Sequence, residues 1–196
     1  MDGATRPCWE PPGALTCLAV EGRFLQAADM AGLRRQAIHA ARQGAAAVFL
    51  SQGHLGDPIV LAAGLGPEVP GLLLGVRILL GPEERHPAML ARDLTSLDLV
   101  CGGRSVLCLV PPFTEALAEA VCLCRRLWGE GAVVGSGPHF PVQAAANRSR
   151  PAGAGSPLIA FDLTAGEKLP TFVAGTADLV VLPLPAAPNA CRLEWV

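Results

Sequence analysis

The chain has 196 residues, 51% of them hydrophobic and 16% charged, with 22 Gly and 18 Pro, a composition that excludes wholesale disorder and makes one domain the default. With 15 basic and 17 acidic residues the formal charge is -2, so the basic footprint of a nucleic-acid binder is absent. Mean hydropathy is +0.40, yet Glu68 and Arg77 interrupt the apolar stretch 59–80, and Asp178 and Pro183 interrupt the one near the C-terminus, so no spanning helix is expected.

The first twelve residues carry Asp2, Arg6, Glu10 and three prolines and lack the apolar centre of a signal peptide. The expectation is a cytoplasmic protein with neither a membrane nor a nucleic-acid partner. A Pro-rich lead over 1–13 is followed by an apolar strand at 14–20 and a helix over 23–43, with Gly44 as its stop. Residues 45–51 (AAAVFLS) form an unbroken apolar run of strand length, the pattern of a strand covered on both faces. A loop at 52–57 and a short helix at 58–64 lead to a third strand at 72–80. The helix 87–100 has Pro at its first turn and stops at Gly102-Gly103; a fourth strand spans 105–110 and a helix 115–128. The glycines at 129, 131, 135 and 137 signal a hairpin within a polar excursion over 129–157. A fifth strand comes next at 158–162, then a helix over 164–176 broken by Pro170, a sixth strand at 178–184 and a tail over 185–196.

Strands alternating with helices imply βα units and a parallel sheet whose working edge lies at the strand C-termini. Six units suit either an open doubly wound sheet or a barrel short of the eight units that a TIM barrel normally has. Seven cysteines without CxxC or Cys/His ligand spacing are expected to be reduced, buried thiols, and no metal site is expected. Cys122 and Cys124 fall on different faces of their helix. No GxSxG, HExxH, P-loop or GxGxxG pattern is present.

The stretch Arg85-His86-Pro87-Ala88-Met89-Leu90-Ala91-Arg92, with Leu94, Leu97-Asp98 and Gly102-Gly103-Arg104, resembles the most recognisable segment of the luciferase-like monooxygenase superfamily. Residues 45–51 with His54-Leu55-Gly56-Asp57-Pro58 resemble its second strand and His-bearing loop, and Leu74-Gly75 its third strand. Downstream, 115–130, 137–140 and Asn147-Arg148-Ser149-Arg150-Pro151 are similar to its helix, hairpin and arginine-proline segment.

The resemblance covers 14–184. It implies a TIM-barrel-like (β/α) domain, here an incomplete barrel of about six units, and an FMN- or F420-dependent oxidoreductase or monooxygenase acting on a small organic substrate. A homo- or hetero-dimer is implied, since an open barrel needs its edges covered by a partner or by the tail. Departures from the family pattern open an alternative: a non-catalytic member that binds a ligand or serves as a partner subunit, with no cofactor at all. The fourth strand runs through Val110-Pro111-Pro112-Phe113 almost directly into a helix, Val76 and Arg77 come after Gly75, and units seven and eight, which commonly supply a barrel's phosphate site, are missing from the pattern.

Four residues are the candidate site. His54, after the second strand, is the catalytic candidate, a proton carrier that also contacts the cofactor. Ser51 and Arg77 are candidate cofactor or substrate contacts, Arg77 through its planar fork to an anion. Asp162, at the end of the fifth strand, either caps the next helix or faces the ligand. Arg85, His86 and Asp98 are read as structural.

Overall fold

A computed structural model describes residues 20–53, 55–80, 85–135, 137–152, 155–184, 187 and 189–196. In chain order the elements are β1 (Val20–Leu25), α1 (Met30–Arg42), β2 (Ala47–Ser51), α2 (Pro58–Leu65) continued by a 3-10 turn (Gly66–Glu68), β3 (Leu73–Ile78) and α3 (Pro87–Cys101). Beyond them lie β4 (Ser105–Leu109), α4 (Glu115–Gly129), the two-residue strands β5 (Ala132–Val133) and β6 (Ala145–Ala146), β7 (Leu158–Asp162), α5 (Thr171–Ala174), β8 (Leu179–Pro183) and β9 (Ala190–Trp195).

The strands close into a barrel in the order β1-β2-β3-β4-β7-β8-β9. Neighbours from β1 through β8 pair in parallel, which is the six-unit (β/α) architecture the sequence implies. The seventh strand, β9, runs antiparallel to both β8 and β1 and fills the gap that two further units would occupy in a full TIM barrel. Residues 185–196 are therefore not only a tail, because 190–195 complete the wall. Cys191 and Leu193 point inward while Arg192 and Glu194 pair outside at 3.0 Å, the alternation of an antiparallel strand with one wet face. Covering of the barrel edges falls to this strand, so the edges by themselves require no partner.

Two further expectations change. The helix expected over 23–43 begins only at Met30, and 20–25 form β1; the strand expected at 14–20 lies outside the described residues except for Val20. Parallel pairing of β1 with β2 overrides the helical spacing of Arg23 and Leu25, and the Asp29 carboxylate caps α1 by accepting from the Gly32 amide at 2.6 Å. The helix expected over 164–176 shrinks to the four residues of α5, because Thr164 turns back on Asp162 instead of starting a helix.

Apolar side chains occupy two layers. Outside the wall, Leu50, Leu74, Val76 and Leu107 meet Leu33, Leu65, Leu94 and Leu117 of the helices. Inside, Phe49 crosses the barrel among Ala47, Leu73, Val106, Cys108 and Leu193. A Cβ on Gly75 would lie 2.1 Å from the Phe49 ring, and one on Gly22 would lie 3.0 Å from it, so two glycines make the space that one aromatic ring fills. Asp98, buried on α3, accepts from the Ser105 hydroxyl at 2.6 Å and the Ala152 amide at 2.9 Å, a fold role. The excursion after α4 contains the expected hairpin as the antiparallel pair β5–β6. Of the cysteines, Cys101, Cys108, Cys124 and Cys191 are buried as expected, whereas Cys122 is exposed; Cys8 and Cys17 lie outside the described residues.

Candidate active site

Every second residue of a barrel strand faces inward, so Ser51, Arg77 and Asp162 reach the same place: the mouth at the C-terminal ends of β2, β3 and β7. Ser51 is the register partner of Arg77 across β2–β3. Arg77 Nε donates to Asp162 Oδ2 at 2.8 Å, its Nη2 donates to the same oxygen, and its Nη1 donates to Ser51 Oγ at 3.0 Å. Below the fork, the guanidinium carbon lies 4.6 Å from the centre of the Phe24 ring, a cation–π contact. Three of the four sequence candidates thus form one network; the fourth, His54, lies outside the described residues.

Their roles differ. Asp162 is 2% exposed, and besides Arg77 it accepts from Thr164 N at 2.9 Å and Thr164 Oγ at 2.6 Å. Four donors fill the lone-pair positions of a carboxylate, so Asp162 holds Arg77 in place and keeps no acceptor for a ligand. Arg77, at 26% side-chain exposure, uses three of its five N–H groups in this network, which leaves two to meet a ligand. Ser51 accepts from Arg77 and keeps its hydroxyl proton to donate. Beneath them, burial pushes the Cys108 thiol well above the ordinary 9.0, with the Asp162 charge adding to it, so this thiol stays protonated and inert.

A cleft of about 350 Å³ opens over this network, lined by Ser51, Gln52, Arg77, Leu79, Val110, Pro111, Asp162, Thr164 and Ala165. On the far side of Arg77 and Thr164 a polar pocket of about 310 Å³ has Phe24, Gln26, Pro183 and Asn189 in its wall. An apolar pocket of about 440 Å³, which includes Leu25, Leu33, Leu50, Leu55 and Leu61, shares Ser51 and Gln52 with the cleft. Composition alone did not signal Phe24, Gln52 or Thr164; only the strand-end positions of Phe24 and Gln52 could have drawn attention to them. Arg85, by contrast, ties Asp57 at the start of α2 to Asp93 in α3, and His86 caps α3 by accepting from the Ala88 amide at 3.2 Å, both structural as read.

The residues present fit one part of the implied cofactor. A flat heteroaromatic ring suits a cleft near the small end of ligand-pocket volumes, with Leu79, Val110 and Pro111 against its face and the free Arg77 donors at a carbonyl edge. A phosphate finds no matching cradle among the described residues: the hollow made by Gly75 is filled by Phe49, and the connection after β7 leads to the four-residue α5.

No curated protein matches the chain. Solved structures share its fold at low identity. A long-chain alkane monooxygenase superposes with a TM-score of 0.63 at 15% identity, over 79% of this chain and 49% of its own. The oxygenating constituent of 3,6-diketocamphane monooxygenase from Pseudomonas putida, in complex with FMN, gives 0.57 at 17% identity, over 74% and 51%. The coenzyme F420-dependent tetrahydromethanopterin reductase of Methanopyrus kandleri gives 0.56 at 15% identity, over 74% and 50%. The chain thus spans about half the length of the structures it matches. No helix among the described residues is long and apolar enough to cross a membrane. Residues 14–115, just over half of the chain, match the luciferase-like monooxygenase family, and with a barrel of the same fold the chain belongs to that family.

Proposed function

We propose that the protein is a flavin- or F420-dependent oxidoreductase of the luciferase-like group that binds the cofactor ring over its barrel mouth. One observation carries this reading: Arg77 is fixed by Asp162, Ser51 and Phe24, keeps two N–H donors outside that network, and lines a cleft together with the apolar Leu79, Val110 and Pro111. When bound, the ring supplies hydride transfer or oxygen activation. Arg77 and Ser51 orient it through a polar edge, Asp162 and Phe24 hold Arg77, and Leu79, Val110 and Pro111 keep water from its face. The apolar pocket beside Ser51 and Gln52 takes the apolar part of a small organic substrate. His54 is the residue we assign to proton transfer, as the sequence places it in the β2–α2 connection.

The test is titration of the protein with FMN and with F420, followed by fluorescence, alongside Arg77→Met. Saturable binding in the micromolar range is expected, weakened at least about tenfold in the variant, since a hydrogen bond from a charged donor contributes about 1.5–3 kcal/mol. His54→Ala should leave binding intact while lowering turnover of added reduced flavin; unchanged turnover removes His54 from the mechanism.

A second reading, a non-catalytic ligand-binding or partner subunit, draws on the same network, because every acceptor position of Asp162 is already satisfied within the protein. Under it, the folded protein binds neither ring, and the dimer that the family resemblance implies is its working form, seen as co-purification with a longer relative.

A further inference from the structure

We propose that the barrel mouth takes an uncharged flavin, ring plus polyol, and repels the terminal phosphate, so that riboflavin rather than its phosphate ester is the preferred ligand; this rests on the ring-binding reading above. The first ground is the way the helix N-termini at this end of the barrel are used. Such termini ordinarily bind phosphate through free amides and the helix dipole. Here α1 is capped by the Asp29 carboxylate, and α2 by Asp57, which accepts from the Ile59 amide at 2.8 Å. The first turns of α3 and α4 are capped by His86 and by Thr114, whose hydroxyl accepts from the Leu117 amide at 3.2 Å. Each of these four N-termini thus already carries a side-chain cap, two of them a carboxylate, whereas the four-residue α5 has none.

Charge along the connections at the strand C-termini is the second ground. Among the described residues, these connections carry Asp29, Asp57 and Glu167 against Arg85 and Lys168. Arg85 is held by Asp57 and Asp93, and Arg77 is neutralised by Asp162, so a dianion approaching this rim meets a net negative field. The third ground is the pocket across Arg77 from the cleft. Its polar wall is made of Gln26 and Asn189, whose amides donate and accept without charge, and Thr164, whose hydroxyl proton is committed to Asp162 but whose oxygen still accepts, the chemistry that recognises a chain of hydroxyl groups. Cleft and pocket share Arg77 and Thr164, so one ligand spans both.

The experiment titrates the intact protein with riboflavin, lumiflavin and FMN at low salt and at about 0.5 M salt, where the Debye length falls below about 5 Å. Riboflavin is expected to bind more tightly than lumiflavin, and at least about threefold more tightly than FMN at low salt, with riboflavin and FMN converging at high salt as repulsion is screened. FMN binding as tightly as riboflavin, or more tightly, at low salt overturns the proposal while leaving ring binding intact; failure of all three ligands to bind overturns both. Lys168→Glu reverses the charge of an exposed residue in the β7–α5 connection, outside the cleft lining, and should lower FMN affinity several-fold at low salt with riboflavin unchanged. An unchanged FMN affinity in that variant overturns the assignment of the repulsion to this rim.

Discussion

The part of the barrel up to α4 and the part beyond it are built by different rules. In the first, each of four parallel strands is followed by a helix of 8 to 15 residues with a side-chain cap, and those helices bury the outer apolar layer. In the second, an excursion carrying β5 and β6 leads to β7, after which the connections shrink to the four-residue α5 and a hairpin, and the wall closes with an antiparallel strand. A barrel can therefore be completed with less chain when one strand reverses, because an antiparallel neighbour needs only a short loop where a parallel one needs a crossover. The mouth draws on both parts: Ser51 and Arg77 come from the regular side and Asp162 from the abbreviated one.

The sharpest way to break this contrast is to delete 190–196. Loss of β9 exposes the edges of β8 and β1 and removes Cys191 and Leu193 from the inner apolar cluster, uncovering Phe49, Leu179 and Val181. The expected cost exceeds roughly 5 kcal/mol, the lower end of whole-domain stability, and should appear as lost cooperative unfolding and as association in size-exclusion chromatography. A deletion variant that stays monomeric with an unchanged Tm would show that the parallel part stands alone.

Phe49 and Gly75 test the interior that the regular strands enclose. Phe49→Ala should cost about 3–5 kcal/mol in denaturant unfolding. Gly75→Ala alone should cost about 1–3 kcal/mol through overpacking against the ring, and close to nothing when Phe49 is already Ala. Additive losses in the double variant would mean that the glycine serves something other than the ring.

The smallest effect concerns the cysteines. Burial pushes the Cys124 and Cys191 thiols up to about 12 and Cys101 to about 11, from an ordinary 9.0. A pKa raised in the folded state gives stability that is fully present below about pH 9 and is lost as pH rises from there through 11 to 12, so Tm should fall over that alkaline range. Among the described cysteines, exposed Cys122 should react first with a thiol reagent at neutral pH. If the closing strand opens locally, Cys191 reacts ahead of Cys108 and Cys124; simultaneous modification would show that both parts open together.

Much of the regular part is readable because its signals are local. Apolar runs of strand length, Pro at the first helical turn and the Gly102-Gly103 stop place β2, α2, β3, α3, β4 and α4 within one or two residues. Ser51, Arg77 and Asp162 are also readable singly, as polar residues at the ends of apolar strands. Their meeting is not, since it depends on register and closure: Ser51 lies opposite Arg77, while Asp162 reaches Arg77 diagonally past Cys108 on the intervening β4. The alternation in 190–195 is visible but short, and nothing local distinguishes such a segment from a tail until two unpaired edges need it.

Hydrophobic periodicity and capping act over a few residues, and so the βα rhythm, the family likeness and the residues at the strand ends are all written locally in the chain. Three outcomes exist only once the chain has folded: seven strands close the barrel, Phe49 fills the hollow beside Gly75, and Asp162 is spent on holding Arg77. They arise from strand pairing, packing and hydrogen-bond saturation between distant residues, from Arg77 and Asp162, 85 positions apart, to Val20 and Leu193 at opposite ends of the barrel wall, which no local pattern encodes.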